Sequence, residues 1–88
     1  MRKTILAYIL SCIEEMTNDF DLGVEVRQLR DVMVTEYLKN ETPILEVLIF
    51  YITAFPNDYQ LGYEVRGIYN EINYYFNEHK DDTHTNSN

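Results

Sequence analysis

The sequence predicts an all-α fold: two tandem helix-turn-helix hairpins, an internal duplication, closing into a compact four-helix domain with pseudo-twofold symmetry. Three observations predict it. The chain matches itself after a shift of 39 positions, apolar residues recur at helical spacing on both sides of each turn, and capping residues recur at the turns.

The self-match is densest at residues 18–27, Asn-Asp-Phe-Asp-Leu-Gly-Val-Glu-Val-Arg, against residues 57–66, Asn-Asp-Tyr-Gln-Leu-Gly-Tyr-Glu-Val-Arg. Seven of these ten positions are identical. Upstream, Ile5-Leu6 matches Ile44-Leu45 and Ile13 matches Ile52. Downstream, Leu29/Ile68, Met33/Ile72 and Tyr37/Phe76 keep apolar character in phase. The units span about 4–40 and 43–79, within one domain covering residues 1–78.

In the first helix, Ile5, Ile9, Cys12, Ile13 and Met16 fall on one side, with Glu14 and Glu15 on another. Its counterpart, Ile44 to Phe55, is apolar nearly all round, which predicts a central helix buried on most sides. It is too short for a bilayer span, which takes about 20 residues. Pro56, in the place of Thr17, ends that helix. Asn18 and Asn57 then suit the N-cap, where a short amide side chain accepts from the next turn's free N–H groups. Asp21 and Gln60, three residues on, resemble the partner of a capping box. Asp19 and Asp58 suit the positive end of a helix. The second helices are expected to run to about Lys39 and Glu78. Thr42 caps the second unit, with Pro43 in the first helical position. Residues 79–88 read as a disordered polar tail.

Composition narrows the function. The chain is 45% apolar and 25% charged, with a formal charge of -8. A surface this acidic repels phosphate backbones and anionic lipid, so neither direct nucleic-acid binding nor membrane binding is expected. The single cysteine, Cys12, permits no internal disulfide and fits a buried thiol in a cytoplasmic protein. Met1-Arg2-Lys3, a short apolar run and Cys12 imitate a lipoprotein leader. The repeat argues against that, because residues 5–16 correspond to 44–55, a segment no signal peptidase would remove.

Chemical motifs fail on spacing. With Gly23 or Gly62 as the sixth position of a calcium loop, Phe20 and Leu22, or Tyr59 and Leu61, would stand where oxygen ligands belong. As a DNA-reading helix, the second helix sets Arg27, Arg30 and Arg66 against an excess of carboxylates. His79, Asp81, Asp82 and His84 lie in the tail, away from an ordered frame. Ser11 and Cys12 sit in an apolar helix far from either histidine. No enzyme activity, metal or cofactor is expected.

Two features stand out. The repeat motif Asn18, Gly23, Glu25 and Arg27, with Asn57, Gly62, Glu64 and Arg66, reads as structural. The glycines would allow close helix approach, one unit's glycine facing the other's across the pseudo-twofold axis, and the Glu/Arg pairs would form salt bridges orienting the units. A single helix over residues 58–78 would place Leu61, Val65, Ile68, Ile72, Tyr75 and Phe76 on the core side. The opposite stripe would carry Tyr59, Tyr63, Arg66, Asn70 and Tyr74. Exposed Tyr and Arg with little Lys is an interface composition. The sequence therefore predicts a non-catalytic protein-binding regulator or inhibitor whose partner is a protein with a basic surface. An acidic mimic of nucleic acid is the second reading. The third is a structural protein that assembles with its own copies, down to a homodimer.

Overall fold

A computed structural model describes the backbone of residues 4–85 and the side chains of residues 4–78. The described chain is all-helical, but it holds six helices rather than four. They are α1 (Ile5–Glu15), α2 (Asp19–Gln28), α3 (Arg30–Asn40), α4 (Pro43–Ala54), α5 (Asp58–Gly67) and α6 (Tyr69–Thr85).

The helix starts follow local chemistry. The Thr4 side chain accepts from the Ala7 N–H. Asn18 Oδ1 accepts from the N–H groups of Phe20 and Asp21, and Asn57 Oδ1 from that of Gln60. Each side chain supplies an acceptor to N–H groups that lack one inside the helix. Thr42 precedes Pro43 at the start of α4. Between the halves, Glu41 adopts a left-handed conformation with φ 53° and ψ 37°.

The two additional helices arise at equivalent positions. Leu29 (φ -89°, ψ 3°) and Ile68 (φ -108°, ψ 24°) interrupt what the periodicity predicts as one helix per unit. At each, the backbone N–H turns to a carbonyl three residues back, Val26 or Val65. The next helix begins at once, with Met33 and Ile72 donating to the carbonyls of Leu29 and Ile68. Packing explains the interruption. A straight helix from 19 to 40 would run about 33 Å. Its first half is held in the α2–α5 pair, so its second half must turn to reach the rest of the core. Side-chain periodicity survives such a turn, which is why the sequence pattern conceals it.

α2 and α5 form by far the most extensive helix pair. α1 lies chiefly against α6, and α3 against α4, so neither half folds back only on itself. The shared core includes Ile9, Leu22, Val26, Met33, Leu45, Leu48, Leu61, Val65 and Ile72. Cys12 is buried beside it, and that burial pushes its thiol pKa up. α4 is not buried on most sides. Ile44, Leu45, Leu48 and Ile52 face inward, while Val47, Phe50, Thr53 and Ala54 face solvent. An apolar run reads as buried all round, yet only one of its faces finds neighbours. α6 continues to Thr85, beyond the expected end near Glu78, with no Gly or Pro from 69 to 85 to stop it. The remainder of the expected tail, 86–88, lies outside the described residues.

Candidate interaction surface

The α2–α5 pair organises the surface from within. Gly23 and Gly62 stand face to face. A Cβ on Gly23 would collide with the Asp58 carbonyl oxygen and lie 3.0 Å from the Gly62 nitrogen. A Cβ on Gly62 would collide with the Asp19 carbonyl oxygen and lie 2.9 Å from the Gly23 nitrogen. Only hydrogen fits there, and at this approach a glycine Cα–H points at a carbonyl oxygen, a weak hydrogen bond of the kind found between close helices.

Two arginines lock the ends of this antiparallel crossing. Arg27 Nε donates to Asp58 Oδ1 at 2.6 Å, and its Nη1 and Nη2 donate to the carbonyls of Ile52 (3.0 Å) and Phe55 (2.7 Å). Arg66 Nε donates to Asp19 Oδ1 at 2.7 Å, and its Nη1 and Nη2 donate to the carbonyls of Ile13 (3.0 Å) and Met16 (2.8 Å). Each guanidinium thus satisfies carbonyls left over at the C-terminal end of α4 or α1, where a cation is also favoured by the helix dipole. Each contact has its counterpart 39 residues along.

This geometry corrects two expectations. The arginines pair with Asp58 and Asp19 of the opposite half, not with Glu64 or Glu25. Glu25 accepts instead from the Tyr8 hydroxyl, and Glu14 from that of Tyr69. Arg66 is also not a free member of a partner-binding stripe, because Nε, Nη1 and Nη2 are all engaged within the fold. The signal for these pairings was present, since Asp19 and Asp58 match under the 39-residue shift just as Arg27 and Arg66 do.

Tyr59, Tyr63, Asn70 and Tyr74 are exposed. They do not share one helix, because the interruption at Ile68 separates Tyr59 and Tyr63 on α5 from Asn70 and Tyr74 on α6. The neighbour that sequence reasoning missed is Phe20, on α2. Counting rotation from the facing glycine, Phe20 and Tyr59 lie roughly 60° round their helices, and Val24 and Tyr63 roughly 100°. The buried Leu22 and Val26, with Leu61 and Val65, turn the other way. Phe20, Tyr59 and Tyr63 therefore border the outer side of the α2–α5 seam, 50%, 59% and 61% exposed. The clue was the repeat position shared by Phe20 and Tyr59. Its meaning depended on the glycine crossing, which brings the two helices together.

Carboxylates condition several other phenols. The Tyr8 pKa is pushed up to about 12, chiefly by its hydrogen bond to Glu25. Tyr69 is raised by its hydrogen bond to Glu14, Tyr37 by the charge of Glu46, and Tyr74 by that of Glu78. An anionic neighbour opposes formation of a phenolate. A depression of about 200 Å³, lined by residues including Thr4, Glu36, Asn40, Leu45 and Phe76, is smaller than the roughly 300–1,000 Å³ of ordinary ligand sites. Among the described residues, no group of three His, Cys, Asp or Glu side chains is placed to hold a metal ion. The side chains of His79, Asp81, Asp82 and His84 lie outside the described residues. No helix among those described is long and apolar enough to cross a membrane.

No protein-family model, curated protein or solved structure matches the chain.

Proposed function

We propose that this is a non-catalytic protein-binding regulator that occludes a partner through the aromatic surface over the α2–α5 seam. The observation that carries this reading is the exposure of Phe20, Tyr59 and Tyr63. By contrast Tyr51, Phe55, Tyr75 and Phe76 lie partly buried against the core. Broad, stiff rings make good anchors because they bury large apolar area with few rotatable bonds. A net charge of -8 selects a basic protein as the partner and steers it on approach. On this reading the protein acts in the cytoplasm without a cofactor, and binds neither nucleic acid nor membrane.

We further infer that the two halves are copies of one unit related by an approximate twofold axis through the Gly23–Gly62 crossing. The matched arginine contacts support this. The charge-mimic reading gains no support from the geometry: Asp19 and Asp58, two acids it would need in a continuous strip, are paired with Arg66 and Arg27.

The test begins with affinity capture of a partner, followed by purification of both proteins. Tyr59→Ser/Tyr63→Ser, checked for native helicity, is expected to weaken binding at least about tenfold, the loss of roughly one hot-spot contact. Binding by the wild type is expected to fall as salt rises. A partner held equally by wild type and variant rules out this surface.

A further inference from the structure

The outer face of α4 is a second uncovered surface, on a different helix from the aromatic seam. Pro43, Glu46, Val47, Phe50, Thr53 and Ala54 are exposed along it, with Phe50 at 63%. At about 100° per residue these six fall within roughly 60° of Phe50 on either side, so they form one face. Ile49 and Tyr51 flank it half-buried, and the Tyr51 ring lies 6.4 Å from that of Phe50.

The corresponding positions on α1 are Tyr8 for Val47, Ser11 for Phe50, Glu14 for Thr53 and Glu15 for Ala54. The same place in the fold is thus polar and acidic in one half and apolar in the other. Glu46 is the only charged residue of α4.

We propose that this face pairs with the same face of a second copy. Two chains that each carry -8 repel one another, and this face, whose one charged residue is Glu46, brings the least of that charge into contact. An antiparallel pairing of two α4 helices about a twofold axis sets Phe50 against Phe50 of the second copy. Val47 then meets the second copy's Thr53, and Glu46 meets its Ala54. The two Glu46 carboxylates sit at opposite ends, about 12 Å apart along the axis, beyond the screening length of about 8 Å at physiological salt. A 12-residue helix is about 18 Å long, so the contact is smaller than the roughly 800 Å² per partner of a standard interface. The dimer is accordingly weak and reversible.

Its salt dependence has a distinctive sign. Screening removes repulsion between like-charged copies, so salt strengthens this dimer, whereas it weakens a complex with a basic partner. Sedimentation of the full chain from about 5 to about 500 µM, in about 0.02 M and about 0.5 M NaCl, reads this directly. The expected result is a shift from monomer towards dimer, reached at lower concentration in high salt. Phe50→Glu is expected to remain monomeric throughout, and Phe50→Ser to associate more weakly. Both should keep the wild-type circular dichroism, because Phe50 is exposed. Tyr59→Ser/Tyr63→Ser should dimerise as wild type does. A monomer under all conditions overturns the proposal. So does a dimer that survives Phe50→Glu, or one abolished by the tyrosine substitutions.

Discussion

The halves α1–α3 and α4–α6 agree at the α2–α5 crossing and differ along the outer faces of α1 and α4. Gly23 and Gly62, Arg27 and Arg66, and Asp19 and Asp58 are identical pairs, and all six lie at the seam between the halves. Outside the seam, Ser11, Glu14 and Glu15 of α1 give way to Phe50, Thr53 and Ala54 of α4, and Val24 of α2 to Tyr63 of α5. A contact between halves couples each residue to its counterpart, so a change on one side disturbs both. Away from that crossing the correspondence is looser: Glu14 still reaches the opposite half through Tyr69, yet its counterpart is Thr53. The first half has the more acidic surface, and the second presents the larger share of exposed aromatic rings.

The most severe way to break this comparison is to place a methyl group at the crossing. Gly23→Ala and Gly62→Ala should each destabilise the fold by about 3 kcal/mol or more, because the obstacle is backbone and no side chain can rotate aside. The two losses should be nearly equal. Urea denaturation measures both, and a loss below about 1 kcal/mol in either would show that the helices do not cross this closely.

Next in size are the arginines. Arg27→Met and Arg66→Met should each cost roughly 1.5–3 kcal/mol, since a charge-assisted pair is lost and two carbonyls lose their donors. Solvent screening limits the loss, because the Arg27 and Arg66 side chains remain 30% and 33% exposed. Asp58→Asn and Asp19→Asn should cost less, because the arginine keeps its carbonyl contacts. Thermal melts of the four variants rank them, and a neutral Arg66→Met would return that residue to the free surface.

The helical class, the turns and most of the core were legible because they rest on local rules: apolar spacing, N-cap amides and a proline at a helix start. The interruptions at Leu29 and Ile68 were not. Gly67 precedes one of them, but Gln28 precedes the other, so no local residue type marks both. They answer to a tertiary demand, the need to leave the α2–α5 pair and reach the opposite half. The site was legible only in part for the same reason. Tyr59 and Tyr63 could be placed on an outer face by counting along one helix, whereas joining Phe20 to them required the direction and register of the crossing, which facing glycines alone do not specify. Arg66 was misplaced because angular position on a helix does not reveal how far a long side chain reaches.

Gly67 gives a smaller test with the opposite sign. A Cβ there meets nothing within 4 Å, and its φ is not positive, so this glycine serves neither close approach nor a left-handed turn. Gly67→Ala should stabilise the protein by roughly 0.4–1 kcal/mol by restricting the unfolded chain. It should also leave the interruption at Ile68 in place, as Gln28 does beside Leu29. Destabilisation would mean that the second half, unlike the first, needs its glycine to bend.

The smallest effect concerns Tyr8, whose counterpart is Val47 and which has no phenolic equivalent in the second half. Its hydroxyl donates to Glu25, and its pKa is pushed up to about 12 from an ordinary value near 10. Because the folded-state pKa is the higher one, the contribution of this hydrogen bond to stability is fully present below about pH 10 and is lost as pH rises through about 12. Wild type should therefore lose a small increment of stability across that window which Tyr8→Phe does not lose, because phenylalanine lacks the bond at every pH. An ultraviolet titration of the phenolates supplies the direct reading. In wild type the last phenol should ionise near pH 12, and Tyr8→Phe should remove that step while leaving the phenols raised by Glu14, Glu46 and Glu78 in place. If the latest ionisation persists in the variant, the Tyr8–Glu25 bond does not hold in solution. The acidic face of α1 would then lack the phenol–carboxylate link to α2 that distinguishes it from α4.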